Sequence, residues 1–327
     1  METSVISPFA LRRPGEARRR GHGAARTLHL LVLPILSIGS FFAAQHSDQE
    51  EVNIAPRATR SEAVPPLPRA RIRVDTELVL VPVTVSDPLN RFVTGLDRDV
   101  FRVYEDKVEQ KLVSFGSEDT PLSIGIVFDK SGSMGPKLEK SRLAVAEFFK
   151  IADPGDEAFL VEFSDRPELA VAFTHNPEEI QNRLMFTQSR GRTALLDALY
   201  LALHTMKKAH NPRKAILLIS DGGDNNSRYT EREVRDLVKE ADVEIYAIGI
   251  YEQPGNRGRS AEEWSGPGLL GDISEPTGGR HFVVGNLSEL SDVAAKIGLE
   301  LRNQYVIGYS PSNSARVGRY QIGRAHV

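Results

Sequence analysis

Leu122-Ser123-Ile124-Gly125-Ile126-Val127-Phe128-Asp129-Lys130-Ser131-Gly132-Ser133-Met134 begins as a nearly continuous apolar run, the pattern of a strand buried on both faces of a parallel sheet. The run stops at a carboxylate. Beyond it Asp129, Ser131 and Ser133 alternate, so a tight loop pivoting on Gly132 can turn three oxygens towards one place. Hard cations such as Mg2+ take oxygen ligands in a compact octahedral set, and this loop offers such oxygens.

From Thr120 onwards strands and helices alternate. A helix is expected over Pro136–Ala152, with Pro136 in its first turn, where a missing N–H is tolerated. Ala158–Phe163 and Leu169–Phe173 read as an antiparallel hairpin at a sheet edge, because only a short connection separates them. Two helices come next, over Pro177–Met185 and Thr193–Lys208, the second with Leu195, Leu199, Ala202 and Met206 on one face. Ala215–Ser220 is another strongly buried strand, and it too runs into a carboxylate, Asp221. A charged helix over Glu231–Glu240, a strand over Val243–Ile250, a Gly- and Arg-rich loop over Gln253–Gly268, a strand over Arg280–Val284, a helix over Ser288–Arg302 and a final strand over Gln304–Tyr309 complete the order. Residues 120–310 are therefore expected to form an α/β domain, a doubly wound, Rossmann-like sheet with helices on both faces.

Upstream, residues 71–119 read as a small all-β module. Ile72, Val74, Thr76, Leu78 and Leu80 alternate, Val81, Val83 and Val85 continue on the shifted register, and Asp87-Pro88-Leu89-Asn90 makes a turn. Phe101–Tyr104 and Leu112–Phe115 are further short strands about the Glu105-Asp106-Lys107 turn. So few residues have little core of their own, and the module is expected to pack against the α/β domain downstream of it. Residues 45–70 are a Pro-rich linker ending in Val64-Pro65-Pro66-Leu67-Pro68. In residues 1–44, Arg18, Arg19, Arg20 and Arg26 precede an apolar stretch from Leu28 to Ala44, which reads as a signal peptide or, alternatively, a membrane anchor. Both readings export the remainder, to the periplasm, the cell envelope or the medium. Residues 311–327 read as a truncated tail whose last residues, Ile322–Val327, back-translate to a sequencing-adapter string and are taken as artefactual.

Composition removes several classes of function. With 41 basic against 44 acidic residues and a net charge of −3, no basic field exists to recruit nucleic acid. No cysteine is present, which removes disulfides, zinc–thiolate sites and cysteine nucleophiles. The eight histidines show no His-Glu-x-x-His pattern. Gly132-Ser133-Met134-Gly135 is one residue short of a nucleophile elbow, neither a P-loop nor a dinucleotide fingerprint follows the first strand, and Ser131 stands where an aspartyl phosphotransferase of the haloacid dehalogenase type needs a second Asp.

Ligands of a doubly wound sheet sit beyond the carboxyl ends of its strands, at the switch point. Asp129 and Asp221 each end a buried strand, and Thr193 stands where the Gly191-Arg192-Thr193-Ala194 loop enters a helix. Asp129, Ser131, Ser133, Thr193 and Asp221 are thus expected at one edge; Asp224 reads as a loop-capping carboxylate.

This set, Asp-x-Ser-Gly-Ser, then a loop threonine, then a strand-ending Asp-Gly, resembles the metal-ion-dependent adhesion site (MIDAS) of von Willebrand factor A (VWA) domains, over about Pro121 to Tyr309. Val79–Val85, Phe101–Asp106 and Tyr305–Ser310 are similar to the bacterial VWFA-related Acidobacterial domain group, although Lys107-Val108 stands where that group usually has glycine and a further strand is expected beyond the end. The resemblance implies that Ser131, Ser133 and Thr193 approach Mg2+ (or Mn2+ or Ca2+) through hydroxyls while Asp129 and Asp221 hold it largely through water. It further implies a protein partner presenting Asp or Glu, and a shift of the Ser288–Arg302 helix on capture. The expected function is an exported, metal-dependent protein-binding or adhesion module and not an enzyme. The alternatives are a Mg2+-dependent hydrolase and a scaffold whose metal is purely structural.

Overall fold

A computed structural model describes residues 4–5, 9–12, 78–89, 91–116, 120–251, 261–312 and 320–326. The Leu28–Ala44 stretch, the Pro-rich linker and Ile72, Val74 and Thr76 lie outside them. Among the described residues no helix is long and apolar enough to cross a membrane.

Six strands make the central sheet, in the spatial order Pro167–Thr174, Glu157–Phe163, Leu122–Asp129, Arg213–Ser220, Glu244–Ile250, His281–Val284. The first two pair antiparallel, as their short connection requires, and every other neighbouring pair is parallel. The chain starts in the middle at Leu122–Asp129, moves out one way, and returns to build the other half from Arg213–Ser220. The switch point therefore falls between the strands that end at Asp129 and Ser220, and parallel pairing through Phe128 and Ile219 brings those ends level.

All eight residues of Leu122–Asp129 are buried, and they serve two cores because side chains alternate across the sheet. Ile124, Ile126 and Phe128 pack with Val145 and Phe148 of helix α1 (Leu138–Phe149) and Ala294 and Ile297 of helix α6 (Leu290–Arg302); Ile180 and Leu184 of α2 (Pro177–Met185) join them. Val127 faces the other way, into a core shared with Leu195, Leu199 and Ala202 of α3 (Leu195–Met206) and Val234 and Val238 of α4 (Glu231–Glu240).

Two expectations are corrected. Part of the expected Gln253–Gly268 loop belongs to a helix, α5, Ala261–Ser274, which contains Pro267. Gly266-Pro267-Gly268 reads locally as a breaker, but Leu270 and Ile273 are wholly buried in the second core, and that burial outweighs the weak propensity. The second concerns Tyr305–Tyr309, which does not join the central sheet. It pairs antiparallel with Val79–Val83 on one side and Leu112–Gly116 on the other. Tyr305, Ile307 and Tyr309 complete a separate core with Val81, Val83, Val85, Phe101, Val103 and Leu112, so the last strand supplies apolar surface that the short upstream strands lack. Smaller differences concern ends. Pro136 sits inside a 3-10 turn, Gly132–Lys137, and α1 starts only at Leu138. The hairpin Arg102–Glu105/Val108–Gln110 turns through Asp106 and Lys107, both at positive φ (48° and 71°), the conformation for which glycine is usually selected. Tyr320–His326 is a strand paired with Arg102–Glu105 and with Phe9–Arg12.

At the end of the sheet opposite the switch point, Glu244 begins its strand buried. Gln304 Nε2 donates to its Oε2 at 2.8 Å, and Tyr246 Oη lies 3.3 Å from that oxygen and 3.3 Å from Glu300 Oε1. Burial pushes the Glu244 carboxyl up from 4.5 to about 7, with nearby Arg213 opposing the shift. Between these values the folded protein keeps a proton that the unfolded chain has lost, so stability falls as pH rises through this window. Glu244→Gln, which keeps a neutral side chain of the same shape, should become progressively more stable relative to the parent from about pH 5 to about pH 8, read as the difference in melting temperature by circular dichroism.

Candidate functional site

Asp129 is wholly buried at the end of its strand. Its Oδ1 accepts the Ser131 N–H at 2.8 Å and its Oδ2 accepts the Ser220 hydroxyl at 2.6 Å. Ser220 Oγ in turn accepts the Gly222 N–H at 3.0 Å, so one serine joins the end of the first strand to the turn after the second. That turn needs glycine: Gly222 has φ +83°, and a Cβ there would lie 2.5 Å from Tyr251 Oη.

The loop after Asp129 keeps the alternation read from sequence. Ser131 is buried, and its Oγ lies 3.1 Å from Ser133 Oγ. Lys130, beside them, points elsewhere: its ammonium meets Glu162 at 3.1 Å and Glu168 at 2.8 Å, and Arg183 shares both carboxylates. Met134, wholly buried in the first core, pins the following 3-10 turn.

Thr193 is held through its backbone. Its N–H donates to Asn225 Oδ1 at 2.9 Å, and its carbonyl accepts the N–H groups of Asn225 and Asn226. The same segment meets the first loop, where the Gly132 N–H donates to the Gly191 carbonyl at 3.0 Å. Gly191 has φ +81°, and a Cβ would fall 2.4 Å from Asp165 Oδ2, so the approach of Asp165, which accepts the Arg192 N–H, depends on glycine. Asp221 is buried, with its Oδ2 3.1 Å from Lys137 Nζ.

The loops bearing Asp129, Ser131, Ser133, Thr193 and Asp221 are thus hydrogen-bonded to one another at the switch-point edge. Asp224 stands apart as a cap: its Oδ1 accepts the Leu196 N–H at 3.3 Å, an orphan donor at the start of α3, and the Ser227 hydroxyl at 2.6 Å. Sequence reading missed Ser220, Lys137, Asn225 and Asp197. Ser220 and Asn225 lie beside a residue that was singled out, but neither type signals a role by itself. Lys137 was assigned to a helix whose true start lies beyond it, and Asp197 to the body of α3.

Electrostatically the centre is strained towards the neutral form. Burial first, and the charge of Asp221 second, push the Asp129 carboxyl up to about 7. Two buried carboxylates and neighbouring hydroxyls are a donor set of hard oxygens with negative charge to spare, which fits a divalent cation such as Mg2+. Among the described residues no group of three or more His, Cys, Asp or Glu could hold a metal; a site here would rely on hydroxyls beside two carboxylates.

Residues 124–223 match the von Willebrand factor type A domain family. They belong to a von Willebrand factor type A domain. A curated relative, inter-alpha-trypsin inhibitor heavy chain H4 of Bos taurus, is 29% identical over 135 residues, which cover 36% of this chain and 15% of that protein. The chain thus spans a small part of that relative's length. Among solved structures, a von Willebrand factor type A protein from Catenulispora acidiphila superposes with a TM-score of 0.48 at 13% identity, covering 77% of this chain and 62% of that one. Proximal thread matrix protein 1 of the mussel byssus, solved with a zinc-occupied MIDAS motif, superposes at 0.47 with 17% identity, covering 61% and 50%. The match of residues 124–223 takes in the loops of Asp129 and Asp221 and the Thr193 segment, and it lies inside the region where the sequence resembles a VWA domain.

Asp197 is the buried tie of this VWA domain's last site loop. Its Oδ1 accepts the N–H groups of Arg228 and Tyr229 at 2.9 and 3.1 Å, and Arg228 Nε lies 3.2 Å from Oδ2. Asp197→Ala should cost about 2–3 kcal/mol in urea unfolding by orphaning those donors, and hydrogen exchange should quicken at the Arg228 and Tyr229 amides.

Proposed function

We propose that this chain is an exported protein-binding module that captures an acidic side chain of a partner protein through Mg2+ held at a MIDAS by Asp129, Ser131, Ser133, Thr193 and Asp221. One observation carries the reading: two buried carboxylates stand at the switch point of a VWA sheet, with the Asp129 proton affinity raised and hydroxyls beside them. In the resemblance, Ser131, Ser133 and Thr193 would approach the ion through hydroxyls, with Asp129 and Asp221 behind water; Mn2+ and Ca2+ would compete for the same oxygens. When bound, the ion supplies a positive centre for an incoming carboxylate.

The chain's own residues prepare that centre. The Ser131 N–H and the Ser220 hydroxyl hold Asp129 in one orientation, and neutral hydroxyls leave much of a cation's charge unquenched. Both oxygens of Asp129 accept hydrogen bonds and Asp221 Oδ2 faces an ammonium, so protein donors fix the orientation of both carboxylates. The basic and apolar segments within residues 1–44 support export.

Asp129→Ala should abolish the heat of Mg2+ binding in calorimetry while urea unfolding stays cooperative; an unchanged Mg2+ affinity would overturn the proposal. In pull-downs from envelope extract, the partner should bind with Mg2+ and elute with EDTA. Capture that persists in EDTA would instead point to a metal-independent surface.

A further inference from the structure

Lys137 is an unusual neighbour for a cation site. It ends the 3-10 turn that follows the Ser131–Ser133 loop, and its side chain is only 11% exposed against 8% for Asp221. Its ammonium lies 3.1 Å from Asp221 Oδ2. Met134 in the core and the Ser141 hydroxyl on the Lys137 carbonyl at 3.0 Å hold the backbone on both sides of it. The charge is therefore delivered to the site by a fixed segment. Lys130, the other lysine of this loop, is spent on Glu162 and Glu168, and the Arg190 and Arg192 side chains on the rim are exposed, where solvent and salt screen them.

A nearly enclosed ammonium changes the charge balance of whatever the site holds. Without a metal, it offsets one of the two buried carboxylates. With a divalent cation bound, Asp129 and Asp221 together match the ion's charge, and the ammonium remains as a surplus positive charge. Like charges at short range in a poorly solvated site repel, and an anion arriving at the same place is attracted. We propose that Lys137 is a charge-setting residue that weakens the resident cation's binding and strengthens capture of the partner's carboxylate, leaving the loaded site one positive charge in excess. The inference rests on the metal reading above and deepens it. It assigns the preference for an anionic ligand to a residue outside the oxygen set.

The test needs two titrations on the full chain, using Mn2+ as the metal probe and acetate as the anion probe. Mn2+ affinity is read by calorimetry. Acetate binding is read as loss of the water-proton relaxation enhancement of the Mn2+-loaded protein. In Lys137→Met and Lys137→Gln, Mn2+ should bind about five- to tenfold more tightly and acetate more weakly by a similar factor, the size of an ordinary coupling between two bound species. Lys137→Arg should behave like the parent. Circular dichroism melts in EDTA check that each variant folds, and two neutral substitutions guard against one of them failing to do so.

Mn2+ binding that is unchanged or weaker in both neutral variants overturns the proposal and makes Lys137 a positioning residue for Asp221. Acetate binding that is equal in all four proteins, or absent from all, overturns it as well. Absence of Mn2+ binding from the parent and every variant overturns the metal reading itself, an outcome distinct from the others.

Discussion

The hydrogen bond from the Ser220 hydroxyl to Asp129 Oδ2, 2.6 Å long, ties together the ends of the two strands on which the site depends. It exists because parallel pairing brings the ends of Leu122–Asp129 and Arg213–Ser220 level, and because both strands are too apolar to lie anywhere but the sheet's centre. Every later element is arranged about that junction. The first loop leaves Asp129, the turn at Gly222 leaves Ser220, and the Thr193 segment is fastened to both, through Gly191 on one side and Asn225 on the other.

Enclosing two carboxylates at such a place is unfavourable unless something answers their charge. The protein answers in part from within. Asp129 receives a backbone N–H and a hydroxyl, Asp221 faces an ammonium, and the remaining imbalance appears as a raised proton affinity at Asp129. A site that is under-neutralised but oxygen-rich has the property a divalent cation selects, and with such an ion bound the Lys137 ammonium would leave the positive surplus that draws an anionic partner. Around it, other charges are kept in their own sets. Lys130, Arg183, Glu162 and Glu168 balance at the hairpin edge, while at the far end of the sheet Gln304 donates to Glu244 and Arg280 pairs with Glu300.

The second, smaller sheet shows how a short run of strands can acquire a core. Val81, Val83, Phe101 and Leu112 come from upstream of the VWA domain, whereas Tyr305, Ile307 and Tyr309 come from the chain after α6. Tyr305 also binds this layer through its hydroxyl, which donates to the Val93 carbonyl at 3.0 Å and accepts the Leu96 N–H at 2.9 Å. The chain after α6 is therefore anchored in the same layer as the strands that precede Leu122.

Most of the central sheet was legible in the sequence because apolar runs that end in Asp129 and Asp221 carry their own meaning: a buried strand must stop where a carboxylate must reach solvent or a partner. The alternation of Asp129, Ser131 and Ser133 was equally local, and so was the antiparallel hairpin, whose short connection permits nothing else. Helix α5 was not legible, since Gly266-Pro267-Gly268 argues against a helix until Leu270 and Ile273 find a core to enter. Nor was the destination of Tyr305–Tyr309, whose period of two fits any half-buried sheet and is silent about which one. The two lysines of the loop make the same point at the scale of single charges. Sequence alone placed Lys130 beside the site and Lys137 in a helix, whereas tertiary packing turned Lys130 away to Glu162 and brought Lys137 onto Asp221, because the direction of a long side chain is set by the buried charges within its reach and not by its position in the chain.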